Sequence, residues 1–203
     1  MGARIVVEAL AAGADRLVVV DPHTAALEAM WGVPVEMLTA APVIASALAE
    51  GTPDTAVVVS PDLGAVKLAE HYAGLLRRPV AVVRKTRMSG TSVQAEELVG
   101  DVADRPAVIV DDMISTGGTV EAAHVLLARR AAPDIIVAAT HGLLVGAARD
   151  RLRQLPICRL LVTDTLATGQ EQTLPIQVRS VAPLLADAIK RIHYNESVSK
   201  LFE

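Results

Sequence analysis

The sequence has a single cysteine and very few aromatic residues. Cys158 cannot build a disulfide framework alone, and its apolar neighbours predict a buried thiol rather than a nucleophile. Aromatic residues make up 2% of the 203 residues, whereas hydrophobic residues make up 52%. The core must therefore consist of Val, Leu, Ile and Ala, a composition that favours strands covered by helices on both faces.

A large charge excess and long apolar segments are also missing. The formal net charge of -4 argues against general nucleic-acid binding. The chain has no run of about 18 uncharged apolar residues, the length of a membrane-spanning helix. No cationic and apolar signal sequence stands at its start. We therefore expect a soluble, cytoplasmic protein that binds neither nucleic acid nor membranes.

One stretch combines a buried strand, a polar loop and a helix. The apolar run from Ala107 to Val110 predicts a strand, and the pattern from Val120 to Ala131 predicts a helix. The glycines between them would let the backbone approach a ligand, and the free N–H groups of the helix start would face it. The intervening residues with ligand-binding chemistry are Asp111, Asp112, Ser115, Thr116, Gly117, Gly118 and Thr119.

The paired acids make this loop more specific than a general phosphate site. Asp111 and Asp112 suit the two hydroxyls of a ribose, or a magnesium ion near them, while the glycine loop suits a phosphate. The alternative is an ordinary helix start with capping hydroxyls and dipole-favoured acids, which needs only one Asp and one Thr. A P-loop is excluded because no Lys follows the glycines.

The rest of the chain alternates between strand and helix patterns. This alternation predicts an α/β fold in one domain over residues 1–203, with a mainly parallel sheet and helices on both faces. A basic segment without periodicity at 84–91 predicts a mobile loop, and 93–102 predicts an extended segment. Predicted strands lie at 16–21, 55–60, 79–83, 107–110, 134–140, 158–162 and 175–178, and predicted helices at 3–12, 24–30, 42–50, 66–76, 120–131, 145–155 and 182–193.

Polar side chains recur where the predicted strands end, at the sheet edge where ligands bind in such folds. Each has a simpler alternative: a helix cap for His23, a turn acid for Asp62, and a solvated edge for Lys85 and Arg87. We expect mainly structural roles for His141 and Asp164, and surface positions for His71, His124 and His193. The polar clusters are Asp21/His23, Asp62, Lys85/Arg87, Asp111/Asp112, His141 and Asp164.

Taken together, these motifs closely resemble the ribose-phosphate pyrophosphokinase family, also called phosphoribosyl pyrophosphate (PRPP) synthetases. The strand with its Asp-Asp pair, loop and helix would suit any type I phosphoribosyltransferase, so the resemblance implies a fold of that type. The His23, Asp62, Lys85/Arg87 and C-terminal matches are specific to the synthetases. The resemblance covers nearly the whole chain, through residues 18–24, 57–67, 85–87, 110–119, 138–142, 162–165, 180–189 and 196–202.

The resemblance implies Mg²⁺-dependent transfer of the β,γ-diphosphate of ATP to O1 of ribose 5-phosphate, giving PRPP and AMP in nucleotide biosynthesis. Lys85 and Arg87 would act from a catalytic loop, and Asp21, His23 and Asp62 would hold metal. The implied partners are ribose 5-phosphate, ATP or PRPP, and a homo-oligomer, or a full-length homologue. The ribose 5-phosphate residues would be Asp111, Asp112, Ser115, Thr116, Gly117, Gly118 and Thr119.

This sequence departs from the family in length and at two single positions, Ser115 and Thr86. The family's chains begin with a further domain that carries much of the ATP contact, and nothing here replaces it. Ser115 stands where many relatives have an acid. Two other functions therefore stay open: a non-catalytic or regulatory subunit that binds ribose 5-phosphate or PRPP, and a phosphoribosyltransferase that consumes PRPP. The second lacks a visible segment to cover a nucleobase.

Overall fold

The computed structural model describes residues 2–24, 29–87, 94–130, 132–167 and 173–201, with backbone alone at 2–3, 85–87, 94–96 and 200. The chain forms two compact units: Ala41–Val181, and Met1–Ala40 with Ala182–Glu203. Whether the chain behaves as one domain stays a prediction. In chain order the elements are α1 (Gly2–Ala11), β1 (Leu17–Val20), β2 (Val35–Leu38), α2 (Ala41–Ala49), β3 (Val57–Ser60), α3 (Val66–Leu76), β4 (Val80–Arg87), β5 (Gln94–Val99), β6 (Ala107–Ile114), α4 (Gly118–Ala128), β7 (Ile135–Gly142), α5 (Ala148–Arg153), β8 (Arg159–Thr163), β9 (Ile176–Arg179) and α6 (Ala182–His193), followed by a 3-10 turn at Ser199–Leu201.

The larger unit contains a seven-stranded sheet in the order β5-β4-β3-β6-β7-β8-β9. Every neighbouring pair is parallel except β4 and β5. This confirms the predicted mainly parallel sheet. Because β3, β6, β7 and β8 run the same way, their carboxyl ends meet at one edge, with β6 at the centre of the sheet.

Helices cover both faces of this sheet, as the composition predicts. Successive strand residues point to opposite faces, so Val108 packs in one buried cluster and Ile109 in the other. Both clusters are mainly aliphatic, which explains the unbroken apolar strand patterns. One cluster includes Val57, Ile109, Val137, Leu160, Leu127 of α4 and Leu152 of α5, and the other includes Val58, Val108, Ile136, Ile44 of α2 and Tyr72 of α3.

Two strands run further than the apolar pattern predicts. β4 continues to Arg87 and pairs with β5 at Arg84↔Glu97, so the predicted mobile loop is wrong for residues 84–87, while 88–91 lie outside the described residues. β6 continues past the acids to Ile114, paired with β7 at Asp111↔Ala139. The reason is that ladder hydrogen bonds use the backbone and tolerate polar side chains where the core ends.

Two burial predictions are wrong. Cys158 is exposed at the start of β8, with its thiol 3.4 Å from Oδ1 of Asp134. His124 is buried because it follows Val120 by four residues and so lies on the same, core-facing side of α4. His193 is exposed, as predicted.

The smaller unit contains a two-stranded parallel sheet of β1 and β2, in register at Leu17↔Val35. Arg16 and Glu36 form a 2.8 Å ion pair across the two segments. Most of the helix predicted at 24–30 lies outside the described residues. No helix in the described parts of either unit has the length and apolar character to cross a membrane.

Candidate functional site

The acidic pair lies at the carboxyl end of the central strand. Val110 is fully buried, whereas Asp111 and Asp112 are half-buried where β6 emerges from the core. Burial and then the neighbouring Asp112 carboxylate raise the pKa of Asp111 to about 7, and the Asp62 carboxylate adds to this rise. The structure therefore brings three predicted site acids, Asp62, Asp111 and Asp112, into one electrostatic cluster.

Asp62 also stabilises the turn that precedes α3. Its Oδ1 accepts hydrogen bonds from the backbone N–H groups of Gly64 at 2.8 Å and Ala65 at 3.1 Å, and Oγ of Ser60 donates to its carbonyl at 2.6 Å. One carboxylate oxygen of Asp62 therefore has the turn-stabilising role that was the simpler alternative for this residue. These bonds use Oδ1, so Oδ2 is the oxygen through which Asp62 would reach a cation.

The loop after β6 ends in a glycine that the backbone requires. Gly117 has φ 76° and immediately precedes α4, and a Cβ there would also lie 3.5 Å from Cγ of Leu152. The helix begins at Gly118, two residues before the predicted start, and no side chain caps it. Capping hydroxyls therefore do not explain Ser115, Thr116 and Thr119, and the first N–H groups of α4 have no side-chain acceptor.

Three consecutive carbonyls of this loop are bound from the segment that follows β7. The N–H of Leu144 donates to Ile114 O at 2.9 Å, and the N–H of Val145 donates to Ser115 O at 3.0 Å. Arg151 Nη1 donates to Thr116 O at 2.5 Å. Sequence reasoning did not single out Arg151, because the pattern at 145–155 predicts a helix without indicating what it faces.

The two predicted catalytic cations lie on β4, next to the strand that leads to Asp62. The register Ser60↔Val82 places Lys85 and Arg87 beyond the carboxyl end of β3. Lys85 pairs with Glu96 and Arg87 with Gln94 along the backbone. The side chains of residues 85–87 lie outside the described part of the structure, so their catalytic role stays a prediction.

Asp21 and His23 lie in the smaller unit, after β1. Asp21 adopts φ 40°, an uncommon conformation for a residue other than glycine, and such conformations concentrate at functional sites. Ala40 N–H donates to its Oδ2 at 2.8 Å, while its own N–H donates to Leu38 O at 2.9 Å. His23 is exposed, and its capping alternative involves residues outside the described range. Their predicted role in holding a second metal stays a prediction.

His141 and Asp164 have the structural roles predicted for them. Nδ1 of His141 lies 2.8 Å from Oγ1 of Thr165, and this oxygen lies 3.0 Å from Oγ1 of Thr163 at the end of β8. Asp164 Oδ1 accepts from the N–H of Val181 at 2.8 Å. Hydrogen bonds from Ser180 and then Val181 hold the pKa of Asp164 below its ordinary value. Both residues thus fix loops at the sheet edge.

The carboxylates around Asp62 fit Mg²⁺, a hard cation that takes few of its ligands from the protein. Within the described ranges no group of three or more His, Cys, Asp or Glu side chains is arranged to hold a metal. Mg²⁺ commonly binds through one or two carboxylates and completes its shell with water and phosphate oxygens. Asp62, beside two further carboxylates, offers oxygen donors of that kind.

Comparisons with known proteins agree with this geometry. Residues 93–203 match the family model described as "Phosphoribosyl synthetase-associated domain". The chain is 41% identical over 194 residues to the ribose-phosphate pyrophosphokinase of Caldanaerobacter subterraneus subsp. tengcongensis, covering 95% of this chain and 61% of the relative. It is 43% identical over 195 residues to the same-named protein of Rhodopirellula baltica, covering 94% and 62%.

A solved structure extends the likeness to the fold. The phosphoribosylpyrophosphate synthetase of Mycobacterium smegmatis matches with a TM-score of 0.85 and 38% identity, over 96% of this chain and 64% of that one. This match confirms the predicted type I phosphoribosyltransferase-like fold. The chain spans less than two thirds of the length of these relatives.

Proposed function

Because the chain belongs to the phosphoribosyl synthetase family, we propose that it binds ribose 5-phosphate and takes part in Mg²⁺-dependent diphosphate transfer from ATP. The curated relatives are named ribose-phosphate pyrophosphokinases. The proposed products are PRPP and AMP. The ligands we assign to this chain are therefore ribose 5-phosphate, ATP and PRPP, and its proposed assembly is a homo-oligomer in the cytoplasm.

The observation that carries the proposal is the continuity of the acidic pair and the uncapped helix start. Asp111 and Asp112 lie near the carboxyl end of the central strand, which runs to Ile114, and the loop after it leads directly to Gly117 and α4. A sugar phosphate has hydroxyls at one end and a dianionic phosphate at the other. Carboxylates accept hydrogen bonds from hydroxyls, and helix N–H groups donate to phosphate. One short segment thus offers partners for both ends.

The raised pKa of Asp111 supports the same assignment. A carboxyl with a pKa of about 7 is only partly ionised near neutral pH. Hydrogen bonds from two ribose hydroxyls, or a cation nearby, favour the ionised form and would lower that pKa. Without ligand, the carboxylates of Asp62, Asp111 and Asp112 repel one another. A polyhydroxyl ligand bound with a cation would reduce this repulsion.

In the proposed reaction this chain orients the sugar and stabilises charge. Backbone N–H groups of Gly117, Gly118 and Thr119 hold the 5-phosphate, while Asp111 and Asp112 hold the ring. Oxygen O1 of ribose releases its hydroxyl proton to solvent and bonds to the β-phosphorus of ATP. The bond between that phosphorus and the oxygen that bridges to the α-phosphorus breaks, so AMP leaves and negative charge gathers on that oxygen. Lys85 and Arg87 stabilise this charge. Asp62 would hold Mg²⁺ near the ribose, and Asp21 and His23 would hold a second metal; when bound, these ions would supply further positive charge to the phosphates.

A second candidate is ribose 5-phosphate or PRPP binding without turnover, as a regulatory subunit. All residues assigned to the sugar phosphate lie within Ala41–Val181, whereas Asp21 and His23, to which we assign a metal and ATP-phosphate role, belong to the other unit. Binding therefore requires less of the molecule than transfer does. Phosphoribosyl transfer from PRPP to a nucleobase is the third candidate, and pyrophosphate release with a base is its signature.

The test combines calorimetry with product analysis. We expect ribose 5-phosphate to bind, and AMP to form when ATP, ribose 5-phosphate and Mg²⁺ are all present. Sugar-phosphate affinity without AMP, even at high protein concentration, would favour the binding subunit. No affinity for ribose 5-phosphate in the folded protein would refute both. Asp101→Ala is the matched control for site variants, since the Asp101 side chain is 81% exposed.

A further inference from the structure

We propose that Arg151 of α5 is a positioning residue of the phosphate loop, defined here as residues 115–118. Through Thr116, Arg151 would fix the direction of the Gly117 N–H before any ligand binds. The inference rests on the proposed function, because it assigns this loop to the phosphate of ribose 5-phosphate. Arg151 itself would not need to touch the ligand.

The guanidinium of Arg151 has two partners. Nη1 donates to the carbonyl of Thr116 at 2.5 Å, and Nε lies 2.9 Å from Oε2 of Glu121 in the first turn of α4. One planar guanidinium thus joins the loop to the helix that follows it. Arginine presents its donors in a fixed fork, so both contacts are held in one geometry.

The planarity of the peptide bond links the direction of Thr116 O to that of the Gly117 N–H. In a trans peptide the C=O and the next N–H point in opposite directions. Fixing Thr116 O toward α5 therefore turns the Gly117 N–H away from α5. The N–H groups of Leu144 and Val145 fix Ile114 O and Ser115 O in the same way, and so turn the N–H groups of the residues that follow. Successive N–H groups that share one side form a concave anion site.

Helix α5 supports the loop through buried residues. Ala148 and Leu152 of α5 are fully buried, and a Cβ on Gly117 would meet the Leu152 side chain at 3.5 Å and Ala148 O at 3.7 Å. The helix that carries Arg151 is therefore anchored in the core directly beneath the loop. Leu144 is 5% exposed and adopts φ 47°, so packing holds the preceding segment in an uncommon backbone conformation as well.

The consequence is preorganisation of the loop. Without Arg151 the Thr116–Gly117 peptide is free to rotate, and ligand binding has to order it. We expect affinity to fall about tenfold for any ligand that engages the loop, since a hydrogen bond from a charged donor and its ordering are lost together. Ligand contacts made by Asp111 and Asp112 are left intact.

The test uses Arg151→Met, which keeps an apolar stem and removes every donor, with Arg153→Met as the matched control. Arg153 lies on the same helix and pairs with Asp150. Affinities for ribose 5-phosphate and for inorganic phosphate are measured by calorimetry. Hydrogen exchange of the peptide spanning residues 115–119 is measured without ligand, and thermal unfolding reports on the fold.

We expect Arg151→Met to lower the affinities for ribose 5-phosphate and inorganic phosphate by a similar factor. Hydrogen exchange in the ligand-free loop should become faster. Arg153→Met should change neither, and Arg151→Lys should restore part of the affinity because an ammonium donates to Thr116 O but has no fork for Glu121. Glu121→Gln should have a smaller effect than Arg151→Met. If Arg151 had a purely structural role, Arg151→Met would lower the unfolding temperature, and the affinities for the two ligands would not fall equally.

Unchanged affinities and unchanged exchange in Arg151→Met would overturn the inference. If Arg151→Met does not fold, affinity and loop exchange are measured for Arg151→Lys and Glu121→Gln instead. Wild-type affinity and wild-type exchange in both of these variants would overturn the inference. Failure of the wild-type protein to bind ribose 5-phosphate refutes the proposed function instead. The exchange measurement then still tests whether Arg151 orders the loop.

Discussion

Oδ1 of Asp111 accepts a 2.9 Å hydrogen bond from the backbone N–H of Asp112, the residue whose carboxylate opposes its ionisation. The two acids are thus tied together geometrically and opposed electrostatically. Burial adds to the opposition and is its largest cause. Such an arrangement costs free energy in the absence of ligand, and it is commonly found where function requires it.

The first prediction concerns how stability depends on pH. The pKa of Asp111 is about 7 in the folded protein, against 3.8 for an ordinary aspartate. Between these values the folded state binds more protons than the unfolded state. The contribution of Asp111 to the free energy of unfolding should therefore fall as pH rises from about 4 to about 7, and level off above. Urea unfolding across this range measures it.

Asp111→Asn isolates that contribution. The amide keeps an oxygen to accept the Asp112 N–H but carries no charge, so this variant should be at least ~1 kcal/mol more stable than wild type at pH 8. Its unfolding temperature should rise by about 2–4 °C per kcal/mol, while ribose 5-phosphate affinity falls. Asp101→Asn, at an exposed site, should show neither change. Lower stability of Asp111→Asn at pH 8 would contradict the electrostatic account.

The second prediction separates the two glycines of the loop. Gly117→Ala should destabilise the protein by ~1 kcal/mol or more, because φ 76° is unfavourable for a residue with a Cβ. Gly118 is already helical, and a Cβ there would lie 3.7 Å from Nη1 of Arg151, an ordinary contact. Gly118→Ala should therefore keep wild-type stability or gain up to ~1 kcal/mol.

Thermal unfolding of the two glycine variants checks this difference in sign. Phosphate affinity provides an independent readout. Gly117→Ala should weaken inorganic phosphate binding, because the substitution shifts the N–H groups around it. Equal destabilisation by both substitutions would show that Gly117 does not adopt the left-handed conformation.

The third prediction distinguishes the sugar end of the ligand from the phosphate end. Asp112→Ala should abolish measurable ribose 5-phosphate binding while leaving the fold intact, since the ring hydroxyls lose an acceptor and Asp111 loses its neighbour. Binding of inorganic phosphate should persist or improve, because one negative charge is removed near the loop. Calorimetry with both ligands, and Asp101→Ala as control, measures this. Unchanged ribose 5-phosphate affinity would refute the assignment.

The fourth prediction concerns Lys85. Its proposed role is to stabilise charge that develops during transfer, so Lys85→Ala should reduce turnover far more than it weakens ribose 5-phosphate binding. Single-turnover kinetics and calorimetry on the same preparation separate the two effects. Lys190→Ala, in the last turn of α6, is the control for loss of a positive charge. If affinity and rate fall equally, Lys85 already contacts the bound substrate before transfer, which would contradict the proposed role.

The strand before Asp111 could be predicted from sequence, but its end could not. Residues 107–110 are apolar because helices cover them on both sides, and this produces a readable pattern. The strand continues through Asp111–Ile114 because β7 supplies backbone partners such as Ala139. That pairing is non-local and leaves no periodic signal. The same reason explains why β4 extends to Arg87.

The site could be predicted where residue chemistry is local, and not where it depends on packing. Two acids, two glycines and three hydroxyls within nine residues indicate an anion and sugar site without a structure. Arg151 gives no such signal, because nothing in the sequence distinguishes it from Arg149 or Arg153 on the same helix. The sequence predicts the wrong burial for His124 and Cys158. The burial of His124 depends on which side of α4 it occupies, and the exposure of Cys158 depends on where β8 begins.

The most direct measurement is a crystal structure of the protein soaked with ribose 5-phosphate and Mg²⁺. We expect the 5-phosphate to lie against the N–H groups of Gly117, Gly118 and Thr119, with the ring hydroxyls on the carboxylates of Asp111 and Asp112. A sugar phosphate bound elsewhere, or a loop that stays empty at saturating concentration, would contradict this expectation.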